Sequence, residues 1–411
     1  MIMSSFHICR NIVLAGLCCL LLAPLTTGPA AGAEKTLHAF RGGSDGREPA
    51  AQLIEDADGT LYGTTGSGGG GTGCDNGNAG CGTVFKLTPQ GTETVLYAFR
   101  GGSDGAFPLS NLVIDGSGTL YGTTQEGGLG AGTVFKLASD GTETVLYAFQ
   151  GPPDGWVPQG TLVGDGSGNL YGTTVLGGNT GGDECQSRGC GTVFKVAPDG
   201  SETVLHAFKG GSDGFVPLGG VILDNQGNLY GTTDEGDGSG CNGYGCGTIF
   251  KVSSDGTETA LYAFQGDSDG AGPWSNPIID ASGTLYGTTI EGGPSNRGTV
   301  FKLAPDGTET VLYAFTDSSD GVYPIAGLVA DSAGNLYGTT SVGGNSGCQR
   351  AGCGAVFELT PKGNETVLYA FKHTHGQYPS AALLLGTHGE LYGTTEEGGK
   401  YKDGVVFELK K

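Results

Sequence analysis

Short apolar runs of four to six residues alternate with glycine- and aspartate-rich turns along almost the whole chain. The segment Leu-Tyr-Gly-Thr-Thr occurs seven times, at intervals of 50 to 59 residues. Three other segments recur in step with it, namely an apolar run that usually ends in Asp and close variants of Gly-Thr-Val-Phe-Lys-Leu and Thr-Val-Leu-Tyr-Ala-Phe. Each segment is rich in β-branched and aromatic residues and is bounded by turn residues, as β-strands are. Four strands per repeat predict the blade of an all-β, seven-bladed β-propeller.

The repeats are out of phase with the chain by one strand. Residues 36–40 are a lone copy of the fourth segment, whereas residues 405–409 are a copy of the third segment near the C-terminus. If the N-terminal strand completes the last blade, the ring closes and no sheet edge stays exposed. An open solenoid would instead need distinct capping repeats. We therefore expect a closed ring of four-stranded antiparallel blades.

The N-terminal segment has the features of an export signal. Arg10 is the only charged residue before Glu34, and the apolar run between Ile12 and Leu22 is too short to span a membrane. Small residues precede Glu34, so we predict that residues 1–33 are a signal peptide and are removed. The predicted mature domain is then residues 34–411, in a secreted, cell-surface or periplasmic protein.

The formal net charge of −22 changes the range of expected partners. An acidic surface repels the phosphate backbone of nucleic acids, so no nucleic-acid partner is expected. No segment after Ala33 is long and apolar enough to predict a membrane span. We expect a monomer.

The repeated motifs resemble a known family. The pattern Leu-Tyr-Gly-Thr-Thr, Gly-Gly, Gly-Thr-Val-Phe-Lys-Leu and Thr-Val-Leu-Tyr-Ala-Phe, repeated over nearly all of residues 34–411, is similar to the GloVer tandem repeat of exported bacterial proteins. The resemblance implies an extracellular or surface-associated repeat protein, and it implies no particular activity.

Eight cysteines lie beyond the signal region, in four close pairs within the loops between second and third strands. The pairs are Cys74 with Cys81, Cys185 with Cys190, Cys241 with Cys246, and Cys348 with Cys353. In an exported protein such pairs predict disulfides that stiffen the loops. Zinc is the alternative, although no second pair or histidine stands nearby.

Six of the seven connections share an Asp-Gly-x-x-Pro core, with His375 in place of the aspartate in the seventh, and six of the seven place an aromatic residue beside the proline. The aromatic residues are Phe107, Trp156, Phe215, Trp274, Tyr323 and Tyr378. They are candidate ligand-binding residues, because aromatic rings on one face can stack on sugars or hold peptide side chains. The alternative is that they pack between the blades.

Asp234 and Asp237 are candidate calcium ligands in one loop, because carboxylate oxygens are the ligands that Ca²⁺ prefers. The spacing matches no known calcium loop, and an aspartate that caps its own turn is the alternative. No other cofactor is expected. His38 and His206 replace tyrosine within the fourth segment, and we expect both to be structural.

The sequence contains no familiar catalytic motif. It predicts a non-enzymatic exported scaffold that binds a glycan or a protein through the disulfide-stiffened loop face. One alternative is a propeller enzyme, a lyase or a glycoside-acting enzyme, with its site at the channel mouth; Asp234, Asp237, His373 and His375 are the candidate polar groups. The other alternative is a structural component of the cell surface.

Overall fold

Seven four-stranded antiparallel sheets follow one another in the computed structural model, which describes residues 33–71, 73–74, 80–181, 185–237, 240–344, 348 and 352–411. Residues 31–411 form one compact unit. The predicted signal peptide, apart from Ala33, lies outside the described residues. No helix within the described part of the chain is long and apolar enough to cross a membrane.

Each sheet is one blade, and its strands run in sequence from the propeller axis outward. The inner strands of blades 1 to 7 are Ile54–Glu55, Val113–Ile114, Val163–Gly164, Ile222–Leu223, Ile278–Ile279, Val329–Ala330 and Leu384–Leu385. The second strands are Leu61–Thr65, Leu120–Thr124, Leu170–Thr174, Leu229–Thr233, Leu285–Thr289, Leu336–Thr340 and Leu391–Thr395. The third strands are Thr83–Leu87, Thr133–Leu137, Thr192–Val196, Thr248–Val252, Thr299–Leu303, Ala355–Leu359 and Val405–Lys410. The outer strands are Glu93–Ala98, Glu143–Ala148, Glu202–Ala207, Glu258–Ala263, Glu309–Ala314, Glu365–Ala370 and, for blade 7, Ala33–Ala39.

A few short elements lie in the connections and loops. One additional ladder pairs Gly155–Trp156 with Leu176–Gly177. Short 3-10 turns are Gly43–Asp45, Gly102–Asp104, Gln186–Arg188, Gly211–Asp213, Cys241–Gly243 and His373–His375.

The N-terminal strand closes the ring, which confirms the predicted phase of the repeat. Ala33 lies opposite Lys410 and Ala39 opposite Val405 in an antiparallel pairing, so the strand is the outer strand of blade 7. On the other side of the closure, the Thr394 hydroxyl donates a hydrogen bond to the carbonyl of Ala51 in blade 1. The prediction of a seven-bladed propeller is therefore confirmed.

Every contact between neighbouring blades, which we call a joint, contains the same edge-to-face pair of phenylalanines. One ring ends the outer strand of a blade and the other lies in the third strand of the next blade, with centroids 5.0 to 5.3 Å apart. The glycine of Leu-Tyr-Gly-Thr-Thr makes room for this ring, because a Cβ at Gly63 would lie 2.7 Å from Phe85 Cζ. The repeated motif is thus a consequence of packing.

One face of the propeller carries all the long loops. The connection between blades pairs with the loop between second and third strands, as in the bridges of Ala106 with Glu126 and of Ala271 with Glu291. We call this surface the loop face. The tight hairpin turns lie at the opposite ends of the same strands.

Candidate functional site

A cavity of about 120 Å³ lies on the propeller axis, since segments from all seven blades line it. The segment from each blade enters the cavity directly after the proline that ends the connection, on the loop-face side of the inner strand. The first residues of these segments form the mouth; they are Ala50, Leu109, Gln159, Leu218, Trp274, Ile325 and Ser380. Most are apolar, so polar groups at the mouth stand in a partly dehydrated environment.

The residue before each of these prolines has a left-handed backbone. Six of the seven positions carry a side chain, with φ between 57° and 60°; they are Glu48, Phe107, Val157, Val216, Tyr323 and Tyr378. This conformation costs energy for bulky and β-branched residues and persists only where surrounding contacts hold it. Gly272 occupies the seventh position, with φ 64°. The backbone around the mouth is therefore strained at six blades, and at blade 5 the equivalent position, Gly272, has no side chain.

The space that a side chain at Gly272 would take is occupied by the carboxylate of Asp234 from blade 4. A Cβ at Gly272 would lie 3.1 Å from Asp234 Oδ1, so the glycine leaves room for this side chain. Asp234 follows the Leu-Tyr-Gly-Thr-Thr segment of blade 4. Its counterparts in the other blades are Gly66, Gln125, Val175, Ile290, Ser341 and Glu396.

Asp234 is hydrogen-bonded to an exposed tryptophan. The indole Nε1–H of Trp274 donates to Asp234 Oδ1 over 2.6 Å, and 38% of the Trp274 surface is exposed. Burial raises the pKa of Asp234, the Trp274 hydrogen bond opposes this rise, and the charge of Glu291 adds to it. Asp234 is thus a carboxyl group that keeps its proton to a higher pH than an ordinary aspartate.

Glu291 is the second carboxylate of this group. It lies in the loop of blade 5, where its backbone pairs with Ala271, and its side chain is exposed. Asp234, Gly272, Trp274 and Glu291 therefore converge at the joint between blades 4 and 5. We call these four residues the blade 4–5 site.

Another carboxyl group at the mouth belongs to blade 7. Burial raises the pKa of Glu396, the nearby Ser380 hydroxyl lowers it, and the charges of Glu48 and Glu397 raise it. Glu396 occupies the position in blade 7 that Asp234 occupies in blade 4. The residue of the next blade that corresponds to Trp274 is Ala50 of blade 1, so Glu396 has no aromatic neighbour of that kind.

Below the mouth, one side of the channel carries linked polar side chains. Asn111 Nδ2 donates to Gln52 Oε1 and to Thr161 Oγ1, both over 3.0 Å, which joins blades 1, 2 and 3. The corresponding positions of blades 4, 6 and 7 are Gly220, Gly327 and Ala382. Blade 5 carries Asn276 at this position, so the other side of the channel consists of small residues and one further amide side chain.

The six aromatic residues predicted to bind a ligand do not form one uniform ring. Trp156 and Phe215 lie two residues before the proline, Phe107, Tyr323 and Tyr378 one before it, and Trp274 one after it. Tyr323 and Trp274 are exposed by 42% and 38%, whereas Phe215 is only 4% exposed. Arg188 lies over the Trp156 ring at 5.8 Å. Ligand binding by the set stays a prediction, and Trp274 is the member beside a carboxyl group at the mouth.

The other polar candidates lie apart from the mouth. Asp237 is exposed, and its backbone N–H donates a hydrogen bond to the Gly211 carbonyl. His373 Nδ1 is 2.6 Å from Gln377 Oε1. His375 Nδ1 lies 3.3 Å from Glu34 Oε2. The calcium assignment stays a prediction.

All four predicted disulfides form: Cys74–Cys81, Cys185–Cys190, Cys241–Cys246 and Cys348–Cys353. They do more than stiffen loops, because Cys81, Cys190, Cys246 and Cys353 are buried within the apolar clusters at the joints. Disulfides of this kind indicate an oxidising compartment.

Sequence reasoning missed Glu291 and Glu396. Both stand one or two residues after Leu-Tyr-Gly-Thr-Thr, where their neighbours in other repeats differ. Aligning the seven repeats and marking the polar residues unique to one blade would have found Glu396 but not Glu291, because Glu126, Glu235 and Glu397 occupy the same position as Glu291 in other blades. What it could not show is that Asp234 of one repeat meets Trp274 of the next.

Comparisons with known proteins agree with the architecture. The sequence model of the Gloeobacter/Verrucomicrobia repeat matches residues 70–243 and 238–411. No curated protein matches the chain. Among solved structures, a gluconolactonase from Xanthomonas campestris is 13% identical with TM-score 0.43, over 92% of this chain and 88% of that chain. A luciferin-regenerating enzyme is 12% identical with TM-score 0.43, over 92% of this chain and 95% of that chain.

These two structures contradict one prediction. Both are enzymes, whereas the sequence predicted a non-enzymatic scaffold that binds a glycan or a protein. That prediction is not retained. Similarity at this level assigns no activity to the present chain.

Proposed function

The chain belongs to the Gloeobacter/Verrucomicrobia repeat family, and we propose that it is an enzyme that hydrolyses glycosidic bonds of neutral sugars at the blade 4–5 site. The observation that carries the proposal is the 2.6 Å hydrogen bond between Trp274 and Asp234 at the channel mouth. It places a carboxyl group of raised pKa beside an exposed aromatic ring.

A site that breaks the sevenfold repeat supports a specific function. Packing needs the same residues at every joint, and the phenylalanine pairs meet that need in all seven. Asp234, Gly272 and Trp274 depart from the repeat at adjacent positions of a single joint. Packing alone gives no reason for this combination.

The chemistry follows from two carboxyl groups in different environments. Hydrolysis breaks the bond between the sugar C1 and the bridging oxygen, and water supplies a proton and a hydroxyl group. Asp234, whose pKa is raised by burial, gives its proton to the bridging oxygen. The exposed Glu291 takes a proton from the water that attacks C1. Trp274 offers a flat apolar surface on which a sugar ring can stack.

Charge favours neutral sugars over acidic ones. The net charge is −22, and no basic side chain lines the cavity in the described chain. Asp234, Glu291 and Glu396 are acidic groups at the mouth, whereas Glu48 pairs with Arg47 over 3.3 Å. A uronate would be repelled, and a lyase acting beside a sugar carboxylate needs a neutralising cation. Hydrolysis of neutral glycosides therefore fits the site better.

Export is part of the same proposal. The four disulfides and the apolar N-terminal run both favour a protein that acts outside the cytoplasm, where polymeric glycans are available. Removal of residues 1–33 is the expected processing.

The test is hydrolysis of a panel of neutral aryl glycosides and oligosaccharides, followed by reducing-end release. Asp234→Asn should lower kcat/KM by about 100-fold or more, the usual contribution of a general acid. Trp274→Ala should raise KM by roughly tenfold, which corresponds to about 1.4 kcal/mol of stacking.

Glu126→Gln is the matched control for Glu291→Gln. Glu126 pairs with Ala106 in blade 2 as Glu291 pairs with Ala271 in blade 5. The residue of the preceding blade that corresponds to Asp234 is Gly66, so no second carboxyl group stands at that position. Glu291→Gln should abolish turnover and Glu126→Gln should leave it unchanged. Equal activity of wild type and Asp234→Asn on every hydrolysed substrate, or no hydrolysis at all, would overturn the proposal.

A further inference from the structure

Each joint contains a buried polar group near its outer rim, away from the channel mouth. At the joint between blades 1 and 2, the Tyr97 hydroxyl donates to Asp104 Oδ2 over 2.9 Å. Glu143, from the outer strand of blade 2, faces the same pair. The aromatic residue and the aspartate come from one side of the joint and the glutamate from the other.

Two joints replace the tyrosine by histidine. At the joint between blades 3 and 4, His206 Nε2 lies 3.0 Å from Asp213 Oδ1, and Glu258 completes the group. At the joint between blades 7 and 1, His38 Nε2 lies 3.3 Å from Asp45 Oδ2, with Glu93 as the third member. The ligand atoms within each group all lie within 4.8 Å of one another.

The histidine changes what the group can hold. Tyr97 could coordinate a cation only as phenolate, and burial together with Asp104 raises its pKa far above neutrality. A neutral imidazole offers a lone pair without losing a proton. One imidazole nitrogen and two carboxylates are a donor set suited to a divalent transition metal.

Unmet hydrogen bonding points the same way. Oε1 of Glu258 and Oε1 of Glu93 are buried and have no hydrogen-bond partner among the described residues. The equivalent oxygen is also unpartnered at four joints that contain tyrosine, in Glu143, Glu202, Glu309 and Glu365, so the imidazole is what distinguishes the two histidine joints. The side chains of His206 and Asp213 are only 12% and 17% exposed, and those of His38 and Asp45 only 14% and 18%. A buried carboxylate oxygen without a donor is costly, and a cation removes that cost.

We propose that the protein binds two divalent transition-metal ions of the zinc class, one in each joint where histidine replaces the tyrosine. His206, Asp213 and Glu258 supply three ligands at the first site, and His38, Asp45 and Glu93 supply three at the second. Water completes the coordination, as in zinc sites with three protein ligands. This proposal stands independently of the glycosidase activity.

Each metal joins two blades. Glu258 belongs to blade 4 and His206 to blade 3, so the ion bridges the joint. The second site has a particular consequence, because His38 lies in the N-terminal strand while Glu93 lies in blade 1. The metal there ties the closing strand of the ring to the first blade.

The protein supplies its own control variants. His206→Tyr and His38→Tyr introduce the residue that five other joints carry at this position, so both variants are expected to fold. Calorimetric titration of untagged, metal-stripped protein with Zn²⁺ should give two equivalents for wild type. Each single variant should bind one equivalent, and the double variant none.

Thermal unfolding gives a second readout. Zn²⁺ should raise the Tm of wild type over that in EDTA, and it should leave the Tm of the double variant unchanged. Co²⁺ should give visible absorption typical of nitrogen and oxygen ligation in wild type alone. Calcium at the same concentration should not compete, because imidazole is a poor ligand for it.

Tyr97→His is the reciprocal experiment. It places an imidazole beside Asp104 and Glu143, so it should add a third equivalent of Zn²⁺. Absence of zinc binding by wild type, two equivalents retained by the double variant, calcium competition, or no gain from Tyr97→His would each contradict the proposal.

Discussion

Trp274 of blade 5 donates its indole N–H to Asp234 of blade 4 over 2.6 Å, although 40 residues separate them in the sequence. The bond stabilises the ionised form of Asp234 and so opposes the effect of burial on its pKa. Burial therefore raises the pKa of Asp234, and the hydrogen bond from Trp274 lowers it.

The hydrogen bond predicts the pH dependence of activity. Trp274→Phe keeps an aromatic ring but removes the donor, so the pKa of Asp234 should rise further. Because Asp234 acts in its protonated form, the alkaline limb of the kcat/KM profile should move to higher pH. An unchanged profile in Trp274→Phe would contradict the role of this bond.

If the ring is closed, removing the phenylalanine pair should lower the free energy of unfolding by a similar amount at every joint. Phe40 packs edge-to-face on Phe85 at 5.2 Å, and Phe99 packs on Phe135 at 5.1 Å. Both rings are fully buried, so Phe40→Ala and Phe99→Ala should each lower the free energy of unfolding by about 3 to 5 kcal/mol. Urea denaturation measures this, with the exposed Thr36→Ala as control. A much smaller loss for Phe40→Ala would indicate an open ring.

The joints containing tyrosine predict that stability falls as pH rises. Burial, together with the charge of Asp104, raises the pKa of Glu143 to about 7 from 4.5. Three other joints behave alike: Glu202, Glu309 and Glu365 each reach a pKa of about 7. The folded state then binds more protons than the unfolded state, so the stabilisation is present below pH 4.5 and is lost as pH rises through 7.

The corresponding measurement is Tm against pH in metal-free buffer. The Tm should increase between pH 8 and pH 5, until protonation of other carboxylates reverses the trend. Replacing these four glutamates by glutamine should flatten the increase. Equal slopes for the two proteins would show that the glutamates do not titrate in this range.

The disulfides predict a stability loss of moderate size. Removing the Cys241–Cys246 bond should cost about 2 kcal/mol from the entropy of its small loop. The buried Cys246 side chain adds a packing contribution, so under reducing conditions, where the disulfide is absent from every protein, Cys246→Ala should cost more stability than Cys241→Ala. Urea unfolding under reducing and non-reducing conditions separates the two effects.

Processing predicts a mature N-terminus at Glu34. The Glu34 side chain is only 4% exposed and accepts a hydrogen bond from Tyr369 over 3.2 Å. Cleavage beyond Glu34 would remove this contact and shorten the closing strand. N-terminal sequencing of the exported protein checks the site, and a start within the strand would contradict the prediction.

Much of the fold could be predicted because the same packing contacts recur in every repeat and require the same residues there. Gly63 is glycine because Phe85 lies against it, and the same demand recurs at every blade. The disulfides could be predicted as well, since their cysteines are five or seven residues apart.

The sequence by itself determined the strands, the number of blades and the closing role of the N-terminal strand, because these depend on local patterns that recur seven times. Only the tertiary structure decided which departures from the repeat come together. Asp234 meets Trp274, and His206 meets Glu258, across joints whose geometry is set by the pairing and twist of whole blades. A residue's neighbours there lie in another repeat, so no local pattern in the sequence specifies them.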